Sequence, residues 1–229
     1  KIKNVTQGTG VNFAWAQILR IATMHRMLDM YGALPYSQIS SDKLSTPYDT
    51  MEEAYHAMFT DLTDAINVMT VYVTENPNNR TMAKYDKVYD GDFEKWVKFA
   101  NSLKLRMAIR IRFADREYAR QMAEEAINHS IGVITSNEDN ATSLGTKNQL
   151  YTVLVQWPDQ CVSADITSYM KGYNDPRMSK YFKKKTSDKG DDDYVGMRAG
   201  LSYGNDITGP TFSRINVGEM DRTLWMSAA

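Results

Sequence analysis

Apolar positions recur with the period of an α-helix through the first half of the chain and lose that period in the second. Trp15, Ile18, Leu19 and Ala22 form one stripe and Ile21, Met24, Leu28 and Tyr31 the next, which predicts a helix over 13–31 with a broad apolar face. Gly32 supplies its stop, and Pro35 prevents the helix from resuming. Thr50-Met51-Glu52-Glu53 has the form of a capping box, after which Met51, Ala54, Tyr55, Met58, Leu62, Ala65, Ile66 and Met69 hold the helical period. Asn76-Pro77-Asn78-Asn79 is a loop. A third helix opens at the N-cap Asp92 and runs to about Phe113. It carries Phe93, Trp96, Val97, Ala100, Leu103 and Met107 on one face and Phe99, Leu105 and Ala108 on another, so neighbours must cover it on two sides. A fourth starts at Asp115, continues through Tyr118, Ala119, Met122, Ala123 and Ala126, and is expected to end at Gly132.

The fold class that follows is all-α dominated. It consists of tetratricopeptide-like helical hairpins, one over 13–69 and one over 93–131, with long ordered loops packed on them. The long loop after Gly32 spoils a strict repeat, so the repeat is irregular. Residues 1–132 are expected to form the helical-hairpin scaffold and 133–229 a loop-rich part of the same domain, truncated at the C-terminus. In that second part, polar stretches such as Asn137-Glu138-Asp139-Asn140 and Lys183-Lys184-Lys185 alternate with short aromatic pieces. Residues 165–171 read as one or two helical turns. The stretch 172–218, rich in Gly, Asp, Asn and Tyr, reads as ordered loops rather than helix. Both ends read as cut, since Lys1-Ile2-Lys3 lacks a signal-peptide pattern and Leu224–Ala229 opens an apolar element without finishing it.

Composition narrows the functional classes. The 229 residues carry 27 basic and 28 acidic side chains, a formal charge of −1, which argues against nucleic acid as a main partner. No apolar run is long enough to cross a bilayer. The lone cysteine, Cys161, can form neither an internal disulfide nor a cysteine metal site, and reads as a small buried hydrophobe. With 14 Tyr and 4 Trp against 7 Phe, most aromatics carry a polar handle, as suits surfaces that are half apolar and half wet.

Catalytic patterns are missing. His25, His56 and His129 lack metal-ligand spacing and read as structural or exposed; no glycine-rich phosphate loop and no GxSxG elbow is present. Asp191-Asp192-Asp193 fails the calcium-loop pattern and reads as a solvated acidic turn. The basic side chains Lys95, Lys98, Lys104, Arg106, Arg110 and Arg112 of the third helix lie near Glu94, Asp115 and Glu117, which points to ion pairs between helices. Carboxylates are plentiful enough for an acid/base pair, but no spacing singles one out, and the expectation is a non-enzyme with no cofactor and no metal.

Blocks, rather than a catalytic motif, carry a resemblance. Leu28-Asp29-Met30-Tyr31-Gly32-Ala33-Leu34-Pro35-Tyr36-Ser37 resembles the "LTDxYGDxPYS" helix end of SusD/RagB-type outer-membrane nutrient-binding lipoproteins. The stretch from Asp92 to Arg110 is similar to that family's "W.KFANSLKLRLAMR" helix. Asn174-Asp175-Pro176-Arg177-Met178, followed by Tyr181-Phe182, Gly196 and Gly200, resembles "DPRL..YF…G…G", and Trp225–Ala229 the opening of "MSxAExxFLxAEA". Ala33 departs from the acidic residue common at its place. The four blocks follow the family's order across most of the chain.

The resemblance implies a surface-exposed lipoprotein of the cell outer membrane that captures oligosaccharide and passes it to a SusC-like TonB-dependent transporter. Membrane contact would come only through a lipid anchor absent from this chain. Peptide capture of the RagB kind and a helical protein-interaction scaffold are the alternatives. Sugar rings offer apolar C–H faces that exposed Trp and Tyr side chains cover, so the expected ligand contacts are loop aromatics: Tyr36, Trp157, Tyr194 and Tyr203. For each, a ring tucked onto the core as an anchor is the competing reading.

Overall fold

The computed structural model describes residues 2–39, 45–144, 152, 157, 161–185, 193–201, 212–216 and 222–227. The chain divides into two compact units, residues 1–142 with 224–229 and residues 143–223.

The first unit is helical. A short helix α1 (Ile2–Thr6) precedes two hairpins, α2 (Val11–Tyr31) with α3 (Met51–Glu75) and α4 (Phe93–Ile111) with α5 (Arg116–Ile127). The caps are those the sequence signals. Thr50 and Glu53 form the reciprocal capping box of α3, and the carboxylates of Asp92 and Asp115 accept the N–H groups of Lys95 and Tyr118. Gly32, at φ +79°, ends α2 with its N–H on the Leu28 carbonyl. One boundary differs from expectation: α5 stops at Ile127, with Asn128 as its C-cap, before Gly132. The Gly132 carbonyl instead accepts the Asn101 amide.

The core runs along α2, α3 and α4, where Ile18, Ile21, Leu28, Met58, Phe59, Leu62, Met69, Leu103 and Met107 are fully buried. Trp96 is its aromatic centre, with edge-on contacts to Trp15, Tyr89 and Phe99 at ring separations of 5.7, 5.3 and 5.2 Å. Its indole N–H donates to the buried Asp86 carboxylate at 2.7 Å. Asp86 also accepts the N–H groups of Val88, Tyr89 and Gly91, so four donors compensate its burial. Gly91 is required there: at φ +77°, a Cβ would lie 2.7 Å from the Ala83 nitrogen.

The second unit is smaller and less regular. α6 (Ala164–Gly172), N-capped by Ser163, is longer than the one or two turns expected, and Asp175-Pro176-Arg177 leads into a single turn, α7 (Met178–Tyr181). Val162, Met170, Met178 and Phe182 form its buried cluster, with Tyr194 packed against them. Strands β2 (Phe182–Lys183) and β3 (Arg214–Ile215) pair antiparallel, Phe182 opposite Ile215. The stretch expected to be loop only thus contains a helical turn and a ladder. Backbone hydrogen bonds braid three segments: Val162 N–H donates to Ser213, Met197 to Val162, Ala164 to Met197 and Ser213 to Val195. Elsewhere β1 (Ala141–Leu144) pairs with β4 (Arg222–Met226).

Candidate functional site

The exposed face of α6 collects the chemistry expected of a sugar platform. Thr167 and Met170 turn inward and are buried, which forces the opposite stripe into solvent. That stripe holds Ile166, 45% exposed, Tyr169, 69%, and Tyr173, 82%. Tyr173 caps the helix and still donates its N–H to the Tyr169 carbonyl at 3.0 Å, so the two tyrosines are neighbours one turn apart, with Cβ atoms about 5–6 Å from each other. Asp165 lies one turn before Tyr169 on the same stripe and accepts the Ser163 hydroxyl at 3.2 Å. Its remaining lone pairs face solvent, where a ligand hydroxyl could donate to them. Lys171, on the flank, is bound to the Asp193 carboxylate and holds that carboxyl below its ordinary value.

At the end of the stripe the turn is closed by its own side chains. Asp175 accepts the Arg177 N–H at 2.9 Å and grips the Arg177 guanidinium with both oxygens, which pulls its carboxyl down to about 2. Asn174 takes the left-handed conformation at φ +49°, directing the chain out of α6.

The sequence-predicted contacts fare differently from one another. Trp157 is 60% exposed, on the same unit as α6. Tyr194 is half-buried against Met170 and its neighbours, with the Lys184 ammonium 5.8 Å above its ring, so it anchors the 193–197 segment. Tyr203 lies outside the described residues. Tyr36 is corrected: it is 1% exposed, in the first unit, and its ring cannot serve as a solvent-facing platform. Its hydroxyl donates to Asp61 at 2.7 Å, the Arg20 guanidinium lies 4.1 Å over the ring, and the same guanidinium donates to its carbonyl. Burial, with Asp61 at the hydroxyl, holds the phenol far above the ordinary tyrosine value.

The residues missed from sequence are Asp165, Tyr169 and Tyr173. Their spacing of four and four was the available signal, but a helix expected to last one or two turns does not bring the third member into line.

A cleft of about 440 Å³ in the first unit is lined by Asp29, Tyr55, His56, Arg110 and Asp115 among others. Asp29, Tyr55 and Arg110 pair with one another, while His56 Nε2 has no hydrogen bond among the described residues. Tyr55 donates to Asp29 at 2.6 Å, Arg110 pairs with the other Asp29 oxygen, and His56 stacks on Tyr118 with its Nε2 3.4 Å from Asp115, outside hydrogen-bond geometry. His25 is buried, bonded through Nδ1 to the Ile21 carbonyl, and desolvation lowers its pKa. Cys161 is half-buried beside the Met197 sulfur. Among the described residues no group of His, Cys, Asp and Glu is placed to hold a metal ion, and no helix is long and apolar enough to cross a membrane.

Comparison with known proteins places this architecture. The SusD-like family, described as SusD and RagB outer membrane lipoproteins, matches over residues 1–229. The chain belongs to the SusD-like family. A SusD homologue from Bacteroides uniformis is 41% identical with a TM-score of 0.81, matching 99% of this chain and 47% of its own. A chitin-binding SusD homologue from Flavobacterium johnsoniae is 34% identical, with a TM-score of 0.85 over 99% of this chain and 48% of its own. A SusD homologue from Bacteroides vulgatus is 29% identical, with a TM-score of 0.85 over 99% and 47%. No curated protein matches the chain. This SusD-like chain spans about half the length of these relatives. Its hairpins and the 174–182 turn are the structural forms of the blocks that carried the resemblance.

Proposed function

We propose that this SusD-like chain binds oligosaccharide at the surface of the outer membrane, as part of a lipoprotein that passes its cargo to a SusC-like TonB-dependent transporter. The observation that carries the binding is the exposed Tyr169–Tyr173 pair with Asp165 in line. Two rings one helical turn apart cover the apolar faces of a sugar chain, and the carboxylate accepts its hydroxyls. Trp157 supplies a further exposed ring on the same unit. Peptide capture by strand addition needs an open sheet edge, whereas this face is a helix. The ligand is held and released intact, as suits a binding protein of the SusD-like family.

The chitin-binding relative makes chito-oligosaccharides the first probe. Calorimetric titration should give a dissociation constant of roughly millimolar to micromolar, about −4 to −8 kcal/mol. Tyr169→Ala and Tyr173→Ala should each weaken binding by roughly 0.5–1.5 kcal/mol. Mass spectrometry should recover the ligand uncleaved. Folded Tyr169→Ala and Tyr173→Ala variants that bind as well as the parent would sink the assignment.

A further inference from the structure

His129 sits where the chain leaves α5 and turns toward β1, and both of its ring nitrogens are engaged. The Ile131 N–H donates to Nδ1 at 3.3 Å, so Nδ1 must carry a lone pair and the ring proton resides on Nε2. Nε2 lies 3.3 Å from the Thr70 hydroxyl of α3. That hydroxyl gives its own proton to the Ile66 carbonyl at 2.7 Å, which leaves its oxygen able to accept from Nε2–H. The two contacts agree on one neutral tautomer. Beyond the ring the connector is stitched to α4, with the Asn101 amide on the Gly132 carbonyl and the Ile134 N–H on the Ser102 hydroxyl.

The surroundings of the ring oppose a second proton. From α4 it is faced by Lys104, which is buried and donates to Glu125 at 2.6 Å. From α5 comes Glu125 itself, one turn before His129, its carboxylate taken up by Lys104 and by the Gln121 amide. From α3 comes the uncharged Thr70. Burial first, and the Lys104 charge second, lower the His129 pKa from the ordinary 6.5.

We infer that His129 is a pH-sensitive latch on the connector between α5 and β1: the neutral ring holds the 129–131 turn closed, and the imidazolium releases it. Protonation puts a hydrogen on Nδ1, so the acceptor of the Ile131 N–H becomes a second donor pointed at it. The amide loses its partner and the ring gains a charge beside Lys104. Opening the turn into water relieves both. The closed turn has the lower histidine value and the open turn the ordinary one. Opening is therefore favoured as pH falls below about 6.5, by at most about tenfold per pH unit for a single proton. The latch lies within the helical unit and rests on neither α6 nor the glycan reading.

The test combines nuclear magnetic resonance with hydrogen exchange on the full chain. At a pH of about 7.5, long-range proton–nitrogen correlations should place the His129 proton on Nε2 and leave Nδ1 bare. Between about pH 7 and about pH 5.5 the protection of the Ile131 amide should fall several-fold, while amides in the middle of α3 and α4 keep theirs. His129→Asn separates the latch from general acid loosening, because an asparagine carbonyl accepts the N–H two residues on and does not titrate. That variant should hold its Ile131 protection over the same range, and His129→Ala should lack it at both ends. The inference is overturned if Nδ1 carries the proton at the higher pH, or if the parent's Ile131 protection changes less than twofold. It is equally overturned if His129→Asn declines as the parent does or exchanges as fast as His129→Ala, or if His129→Ala keeps the parent's protection.

Discussion

The two units reach stability by different routes. The helical unit buries a continuous apolar stripe on each of α2, α3 and α4 and seals it with the aromatic cluster around Trp96. Its polar groups act as local clips: the Thr50–Glu53 box, the Asp92 and Asp115 caps, and the four-donor Asp86 site. The unit around α6 buries only Val162, Met170, Met178 and Phe182 as an apolar cluster among its described residues, and relies on backbone bonds that join 161–164, 195–197 and 213. A small core leaves apolar and aromatic groups outside it. The exposed tyrosines of α6 follow from a helix that is covered on one side alone. Structural robustness and an uncovered aromatic face are thus two consequences of how much surface each unit buries.

The largest expected effect tests the helical core. Trp96→Ala should cost about 3–5 kcal/mol, because it removes a fully packed indole and leaves Asp86 short of a donor. Urea denaturation followed by circular dichroism measures it, and a loss below about 1 kcal/mol would mean that the aromatic centre is not the seat of the unit's stability. The corresponding blow to the second unit is Gly196→Ala. A Cβ at Gly196 would lie 2.4 Å from the Thr167 hydroxyl, 2.5 Å from the Ser163 carbonyl and 2.6 Å from the Ala164 Cα. Since two of these atoms are backbone, the cost should reach the upper end of about 1–3 kcal/mol. It should fall on the α6 unit, with hydrogen exchange accelerating at Val162, Ala164 and Met197 while α3 and α4 keep their protection.

What could be read in advance follows the same division. The hairpins were legible because a helix repeats its signal: Met51, Tyr55, Met58, Leu62 and Met69 report one face many times, and Thr50, Asp92 and Asp115 mark its beginnings. The braid was not, since Val162, Met197 and Ser213 carry no local pattern that announces their pairing. Tyr36 misled for a related reason. A tyrosine after Pro35 reads as an exposed loop residue, yet Asp61 and Arg20, both distant in sequence, hold it in the core. At α6, the exposed stripe depended on knowing that Thr167 and Met170 face inward, and a nine-residue helix is too short to show that by period alone.

A smaller effect is expected at the loop that Tyr36 begins. Asp49 accepts the N–H groups of Tyr36 and Ser37 at 2.7 and 2.8 Å, as well as the Ser37 hydroxyl, and the bond from its own N–H to the Leu34 carbonyl closes the loop. Asp49→Ala should cost about 2 kcal/mol by leaving those donors unpaired. The bonds from Ser37, above all from its hydroxyl, depress the Asp49 carboxyl. A carboxylate lowered in the folded state adds stability above its unfolded value, about 3.9, and that stability is lost as pH falls through the folded value. His25 acts earlier in the same direction. Desolvation lowers its pKa, so the unfolded chain takes up a proton below about 6.5 that the folded chain refuses. Denaturation midpoints should therefore fall between pH 7 and 5 in the parent and fall less in His25→Leu. An equal slope in both would remove His25 from the account.

The smallest effect is the most direct check on how the second unit holds together. Lys171, in the last turn of α6, pairs with Asp193, and their side chains are 41% and 59% exposed. The pair looks like a strap between α6 and the segment that carries Tyr194, and Lys171 does lower the Asp193 carboxyl. Both charges nevertheless sit in water, where attraction is screened and holding two long side chains in place costs entropy. Lys171→Met should therefore change stability by no more than about 0.5 kcal/mol at pH 7. The sign is fixed by the depressed Asp193 carboxyl. Whatever the pair contributes is present above the unfolded carboxyl value and disappears as pH falls through the folded one, so parent and variant should converge as the Asp193 carboxylate is protonated. Raising salt should close the same small gap at pH 7. A loss above about 1 kcal/mol would show that surface charge, rather than the backbone braid and the Met170 cluster, secures α6. Its exposed tyrosines would then depend on ionic strength for their alignment.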